Sequence, residues 1–573
     1  MSSKKNNKQD KQKNNAESKP TFNKTSLAVE VENNKKENTL FYYIGLGIVL
    51  VLIFLIRKNF LNIPFERDEG AYTYTGQNIL DGAIPYKDIG SQRLDGIFYA
   101  YSLLVWIFGY SVKAMHIAFI FVNMATAIII FFLTRKLSNY ITGFAAATFF
   151  AIMSMAPTAD GFTVQSEHLV ILFVMPAFLS LFYFFETKKI GQLVLSGILF
   201  SLAFEIKQTC FFFGLLGGAL LLFKGLFEDR SGIKKNIIHV LIFSLSVLIP
   251  LAFDLLMVYK HGAWADFKIW FFDIRQQYTS NVPFDKGWEN FKINFFADYN
   301  DYKLFWIFSF LAMISVFFIR IPLWKKITVV GLNMAGFLSV LPGFHFEKHY
   351  YLLWIVPISI SAAIFIFSVQ NYIIRFKNNV AYVLIPLLLI IIPVCINLKE
   401  LSGYYFKPNY TMVLRSVYGI NPFPESKVIA DKLNSVMTKD DKLAVFGTEI
   451  QMYVYTNKKS PSRFAGSGAL LEFPVKQSED WQKEFIADVE KAAPRFLVFF
   501  QHPISWNGNP KTKNLIFPWF DKFAADNYSI FGYADMMDTG STNYVWQPDI
   551  DLTNNPPKGQ FKVFVFERKQ SVK

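Results

Sequence analysis

The chain has 573 residues, 52% of them hydrophobic and 18% aromatic, with 63 phenylalanines and a mean hydropathy of +0.27. Charged residues make up only 18%, below the roughly 25% of soluble domains, which excludes an ordinary soluble enzyme and indicates a membrane protein with room for a soluble unit. The net charge of +14 does not mark a nucleic-acid binder, because Lys and Arg stand at the ends of apolar runs, where topology signals lie.

Residues 1–39, opening "MSSKKNNKQDKQKNN", read as a disordered basic tail on the cytoplasmic side, suited to touching anionic lipid. The run "LFYYIGLGIVLVLIFLI" that follows lacks a small-residue cleavage site and reads as an anchor. About eleven spans are expected, near 40–56, 112–134, 141–156, 167–185, 190–207, 208–223, 238–259, 303–319, 327–342, 350–369 and 379–397. With the N-terminus inside, the inside turns carry Arg135/Lys136, Lys188/Lys189, Lys224/Arg230/Lys234/Lys235, Arg320/Lys325/Lys326 and Arg375/Lys377. Every short inside turn is then basic, as the positive-inside rule requires.

That parity holds only if "DGIFYAYSLLVWIFG" (95–109) does not span. It is short, opened by Asp95 as an N-cap and closed by Gly109, and reads as an interfacial helix on the outer surface. Two long outer loops result, 57–111 and 260–302, and an odd number of spans leaves the C-terminal region outside. From 398 the pattern changes. "KLAVFG", "RFLVFF" and "FKVFVFERK" read as strands, and "SEDWQKEFIADVEKAAP" as a helix burying Trp481, Phe485 and Val489. The expected fold class is a polytopic α-helical membrane protein, with a transmembrane domain over 40–397 and an extracytoplasmic α/β domain over 398–573. Cys210 and Cys395 both lie in apolar runs, so no disulfide framework or cysteine metal cluster is expected.

The chemistry concentrates just past the anchor, in "RDEGAYTYTGQNIL". One reading makes Asp68 an N-cap and Glu69 a partner of the helix dipole, both solvated. The other makes a carboxylate at the membrane surface a general base on an acceptor hydroxyl or amine. Neighbours on a helix point in different directions, so one base and one metal or hydrogen-bonding partner fits better than a matched acid/base pair. The segment "GSGALLEF" (466–473) has two glycines but no preceding strand or following Lys, and reads as a plain loop.

The ordered set "RDEGAYTYTGQNILDGAIPYKD", "GIFYAYSLLVWIFGYSVKAMHIAFIFVNMATAIIIFFLTRKL", "PGFHFEKHYYLLWIVPISI" and "FPESKVIADKL…LAVFGTEIQMYVYTNKKSPSRF" resembles the GT-C glycosyltransferases. These are the polyprenyl-phosphate-sugar-dependent enzymes related to protein O-mannosyltransferases and the lipid A aminoarabinose transferase. The resemblance implies an integral plasma-membrane enzyme of bacterial type that moves a monosaccharide from a lipid-phosphate donor to a lipid, glycan or protein acceptor. It places the catalytic acid pair on Asp68, as base, and Glu69, with Glu167 as a further acid. It places donor-phosphate contacts on Arg93, Lys207, Arg275, Lys348 and His349, and substrate contacts on Tyr72, Tyr86, Asp160, His345 and Tyr350. The family's Lys-Pro-Pro segment falls on Arg93-Leu94-Asp95, a departure in which the guanidinium still grips phosphate bidentately. No cofactor is demanded. A divalent cation, Mg or Mn, is compatible with the carboxylates, and His345 and His349 at i, i+4 suit a metal only on a helix. The rival readings are a transporter or lipid-linked-sugar flippase, disfavoured by charges in outer loops rather than at mid-span and by the lack of a repeat, and a scaffold displaying the C-terminal domain.

Overall fold

A computed structural model describes residues 39–376, 378–538 and 540–569, so the basic tail before Thr39 and the inside-turn Lys377 lie outside the described residues. Each of the eleven expected apolar runs is helical: Thr39–Arg57, Val112–Leu137, Tyr140–Met153, Ser166–Thr187, Ile190–Ile206, Phe211–Phe223, Ile233–Lys260, Lys303–Ser315, Leu323–Val340, Leu352–Ile373 and Asn379–Glu400. Among the described residues, seven helices are long and apolar enough to cross a bilayer. An eighth is added if Phe284–Asp301 and Lys303–Phe318, bent by 101°, form one broken span. The count falls below eleven because Tyr140–Met153 has 14 residues and Ile190–Ile206 has 17, against the roughly 20 that a bilayer needs, Lys303–Ser315 counts only within the bent pair, and the 18-residue Leu323–Val340 carries Lys325 and Lys326 in its first turn. Segment 95–109 forms the 13-residue helix Gly96–Phe108, ended by Gly109 at φ 102°.

Burial sorts the spans. Lys348–Phe376 is 83% buried, Ser166–Thr187 72% and Val112–Leu137 61%, so these form the centre. Ile233–Lys260 is only 17% buried and shows Leu241, Leu245, Ile249 and Phe253 outward, the all-apolar face that lipid accepts. At the end of the first span Arg57 is buried and donates to Gly161 O (3.1 Å), Ser154 O (3.0 Å) and Asn123 Oδ1 (3.0 Å). One guanidinium thereby pins the loop that carries Asp160 to the bundle, satisfying carbonyls that hydrocarbon would leave bare.

Past Glu400 the chain forms a five-stranded sheet: β1 (Leu443–Phe446), β2 (Phe496–Gln501), β3 (Tyr528–Met536), β4 (Thr542–Trp546) and β5 (Phe561–Arg568). The order is β1-β2-β5-β3-β4, with β1 parallel to β2 and the other pairs antiparallel. Helix Ser478–Ala492 buries Trp481, Phe485 and Val489 as the periodicity predicts. The three expected strands are present, while β3 and β4 are additions.

This sheet is seated on the segments 57–111 and 260–302. Trp270 of the second loop stacks on Trp481 with centroids 4.9 Å apart and planes at 8°. Tyr86, Leu94 and Phe267 share one buried cluster with Phe446, Phe485 and Phe520. Arg463 binds Glu484 (2.7 Å) and Asp266 (3.1 Å) across the same seam.

Candidate active site

Helix Arg67–Leu80 begins differently from expectation. Glu66, not Asp68, is the N-cap: its carboxylate accepts from Glu69 N at 2.7 Å, and Glu69 Oε2 accepts from Glu66 N at 2.8 Å. Glu69 Oε1 takes the backbone N–H of Val164, ahead of the Asp160–Glu167 loop end. Both Glu69 oxygens are thus bound to the main chain and the side chain is 1% exposed, so it is not the solvated dipole partner of the first reading. Burial pushes both carboxyls up, Glu66 to about 8 and Glu69 well above its ordinary value. The close helix contact that holds this turn uses Gly70, where a Cβ would meet the Gln451 backbone at 2.7–2.8 Å.

Freed from capping, Asp68 faces a cavity with 28% of its side chain exposed. Arg93 Nη2 binds its Oδ2 at 2.8 Å and the Tyr72 hydroxyl donates to the same oxygen at 3.2 Å. The Arg93 guanidinium also lies over the Tyr72 ring, 5.0 Å from its centroid. Burial alone pushes the Asp68 carboxyl up, but the charges of Arg93, His349 and Lys207 and the Tyr72 hydroxyl hold it below its ordinary value. Arg93 is raised in turn: burial opposes its charge, and Asp68 more than offsets that.

Behind this pair lies a second, deeper set of charges. Lys207 is hydrogen-bonded to Glu167, which is fully buried, and lies 3.7 Å from the centroid of the Tyr350 ring. His349 stands between two carboxylates, Nδ1 3.7 Å from Asp160 and Nε2 3.9 Å from Glu167. Lys207 is therefore paired inward, with its side chain only 9% exposed, and does not snorkel to the surface. Asp160 occupies the left-handed backbone region at φ 51° with its side chain buried.

The other expected residues divide. Arg275 donates to Gln92 O at 3.4 Å, next to Arg93, and burial together with the Arg93 charge lowers its pKa. Tyr86 is fully buried, and its hydroxyl donates to Arg93 O at 2.9 Å, fixing the turn rather than lining the cavity. Tyr350 OH is 3.5 Å from Tyr278 OH. His345 stacks on Tyr278 at 4.3 Å and bonds its carbonyl at 3.0 Å, away from His349. The segment holding both histidines is a loop running into a short 3-10 turn, so the helical metal pair does not form. Lys348 turns outward and donates to Val417 O at 2.6 Å. Asp95 makes no capping bond and is buried, with its carboxyl pushed up to about 10 by burial, Asp254 and Glu205.

A divalent cation does not fit this donor set. Asp160 and Glu167 already face His349 and Lys207, and among the described residues no three His, Cys, Asp or Glu side chains converge as metal ligands.

The cavity at Asp68, about 190 Å³, has its inner wall from Tyr72, Gln92 and Arg93. Its outer wall comes from Thr448, Ile450, Phe464, Glu472 and Phe473. The segment expected to be a plain loop, 466–473, contains the turn of helix Ala469–Glu472 and forms part of that wall.

A family model described as dolichyl-phosphate-mannose-protein mannosyltransferase matches residues 96–253. ArnT from Cupriavidus metallidurans, solved bound to undecaprenyl phosphate, superposes with TM-score 0.53 over 92% of this chain and 98% of its own, at 11% identity. The Archaeoglobus fulgidus oligosaccharyltransferase, solved with a tethered acceptor peptide, superposes with TM-score 0.51 over 90% of this chain and 75% of its own, at 13% identity. The chain has the GT-C fold. Its sequence matches no curated protein. The resemblance read from the Asp-Glu stretch and the later spans is borne out at the level of the fold. Tyr278, Gln92, Glu66 and the 448–473 wall were missed. Of these only Glu66 had a signal within reach, a Glu three residues before Glu69.

Proposed function

We propose that the protein transfers a monosaccharide from a polyprenyl-phosphate donor to an acceptor at the outer face of the membrane, with inversion, and that Asp68 is the general base. The observation that carries this reading is the position of Asp68: a partly exposed carboxylate on a cavity wall, backed by Arg93, Lys207 and His349. A long lipid phosphate needs cations at the bundle surface and no nucleotide pocket, and this arrangement supplies them.

In the reaction, the acceptor hydroxyl attacks the anomeric carbon while its proton passes to Asp68 Oδ. The bond from that carbon to the phosphate oxygen breaks through an oxocarbenium-like state, and the negative charge stays on the lipid phosphate. Arg93, Arg275 and Lys207 stabilise that charge where it develops. Arg93 holds Asp68 at 2.8 Å. A phosphate competes for the same guanidinium, bidentately. Donor binding therefore loosens the Asp68–Arg93 pair and raises the basicity of Asp68 when the acceptor arrives. Glu69 acts as a positioning residue, and Glu167 with His349 orients Lys207.

The supporting topology has the N-terminus inside the plasma membrane of a bacterial cell. Residues 40–397 form the transmembrane domain, and 57–111, 260–302 and 398–573 are extracytoplasmic. Cysteines placed at 88 and 450 should both react with an impermeant label on intact cells, and labelling of only one would overturn that sidedness. The function itself is tested by sugar release from a labelled polyprenyl-phosphate donor with Asp68→Asn, beside donor binding on the same protein. Transfer within a few-fold of wild type would remove Asp68 from the mechanism.

A further inference from the structure

A second cavity of about 580 Å³ opens on the sheet, within the roughly 300–1,000 Å³ of ligand pockets. Phe499, Trp506, Phe517 and Phe561 give it aromatic faces, and amides such as Asn509 and Gln560 stand among them. Among the described residues no Lys, Arg, Asp or Glu lines it, in a chain with 58 basic and 44 acidic residues. His502 in its wall is neutral, because burial and the nearby Arg67 and Arg415 push its pKa down to about 4. This cavity adjoins the one at Asp68. Helix Ala469–Glu472 is the partition, with Leu471 on the outer side and Glu472 on the inner. Arg67, in the inner wall, reaches Ile504 O at 3.5 Å beside the outer one.

Both cavities hold buried polar atoms without a hydrogen-bond partner: Thr512 Oγ1 in the outer, and Gln92 Oε1, Thr448 Oγ1 and Trp270 Nε1 in the inner. Such atoms are destabilising unless a ligand or water pairs them. Aromatic faces meet the C–H faces of pyranose rings, while neutral amides and hydroxyls pair their hydroxyl groups. An anionic lipid headgroup would call for cations here, and a charged peptide for counter-charges.

Resting on the glycosyl-transfer reading, we propose that the acceptor is a neutral oligosaccharide chain. Its reacting end lies at Asp68, and its following residues run over helix Ala469–Glu472 into the cavity lined by Trp506 and Phe561.

The test uses the full chain in lipid nanodiscs. Neutral gluco-, galacto-, manno- and N-acetylglucosamine oligosaccharides of two to six residues are compared with oligogalacturonate and a charged hexapeptide, by saturation-transfer NMR and tryptophan fluorescence. At least one neutral series should bind, more tightly as it lengthens. Phe561→Ala and Gln560→Ala should each weaken its hexasaccharide about 10-fold, as loss of a contact of about 1.4 kcal/mol would, while leaving polyprenyl-phosphate binding unchanged. Absence of binding by every neutral series, or tighter binding of the oligogalacturonate or peptide, overturns the proposal and leaves the transfer reading standing. A wild-type chain that binds a neutral series but moves no sugar from a labelled polyprenyl-phosphate donor overturns the transfer reading, and with it the acceptor role.

Discussion

Two sets of charges occupy one site and obey different rules. The outer pair, Asp68 and Arg93, leaves 28% and 27% of its side chains exposed, open to a cavity. The inner set, Glu167 with Lys207 and His349, is more enclosed, Glu167 at 0%, Lys207 at 9% and His349 at 15%. An exposed pair exchanges partners at little cost, whereas a buried pair is held together by what separation would leave uncompensated. On the proposed reaction, the difference suits the outer pair to proton transfer and ligand exchange and the inner set to fixed electrostatic support.

The largest effect expected from breaking that division is on rate. Asp68→Asn removes the proton acceptor and should lower transfer on the order of 10²–10⁴-fold with donor binding kept, measured on labelled donor. Next comes the inner set. Lys207→Met strands a buried carboxylate and should destabilise the protein by about 3–5 kcal/mol, read as a lower unfolding midpoint in nanodiscs. The double change Glu167→Gln with Lys207→Met should recover most of that stability, though not the activity. Equal losses in single and double variants would mean that Glu167 is satisfied elsewhere.

A smaller effect sharpens the comparison through pH. The Asp68 carboxyl is held low, so its base form, and the stability its ion pair contributes, are present above the ordinary carboxylate range near 3.9 and lost as pH falls through its depressed value. If donor phosphate draws Arg93 away, the acid limb of kcat, which reports the complex, should lie at higher pH than that of kcat/KM, which reports the free enzyme. Coincident limbs would show that Arg93 stays on Asp68 throughout. The smallest expected effect lies at the seam: Gly70→Ala forces a methyl against the Gln451 backbone and should cost about 1–3 kcal/mol, seen as a lowered unfolding midpoint with unchanged polyprenyl-phosphate affinity.

The helices were legible because long apolar runs leave few alternatives, and their ends carried basic turns. Whether a 14-residue run such as Tyr140–Met153 spans was not legible, since periodicity does not measure thickness. Asp68, Arg93, Lys207 and Glu167, which lie together with His349, were reachable through the family resemblance rather than through composition or periodicity. The N-cap was misplaced because Glu66 is not among the favoured capping residues while Asp68 is. β3, reading "YSIFGYADM", was hidden by a central Gly and an Ala in place of β-branched residues. The outer wall of the site was out of reach for another reason: nothing local in 448–473 announces a partner nearly four hundred positions earlier.

That long reach bears on when the site comes into being. Phe65 N donates to Tyr455 OH at 2.7 Å, across 390 residues, and Ser460 N donates to Tyr74 OH at 2.9 Å across 386. Translation runs in one direction, so the carboxylates are made early and wait, unroofed, until the last third of the chain has been made. A nascent or prematurely stopped chain carries Asp68 and Arg93 but has no chamber around them. On the proposed reaction, competence to react therefore arrives only with completion of synthesis.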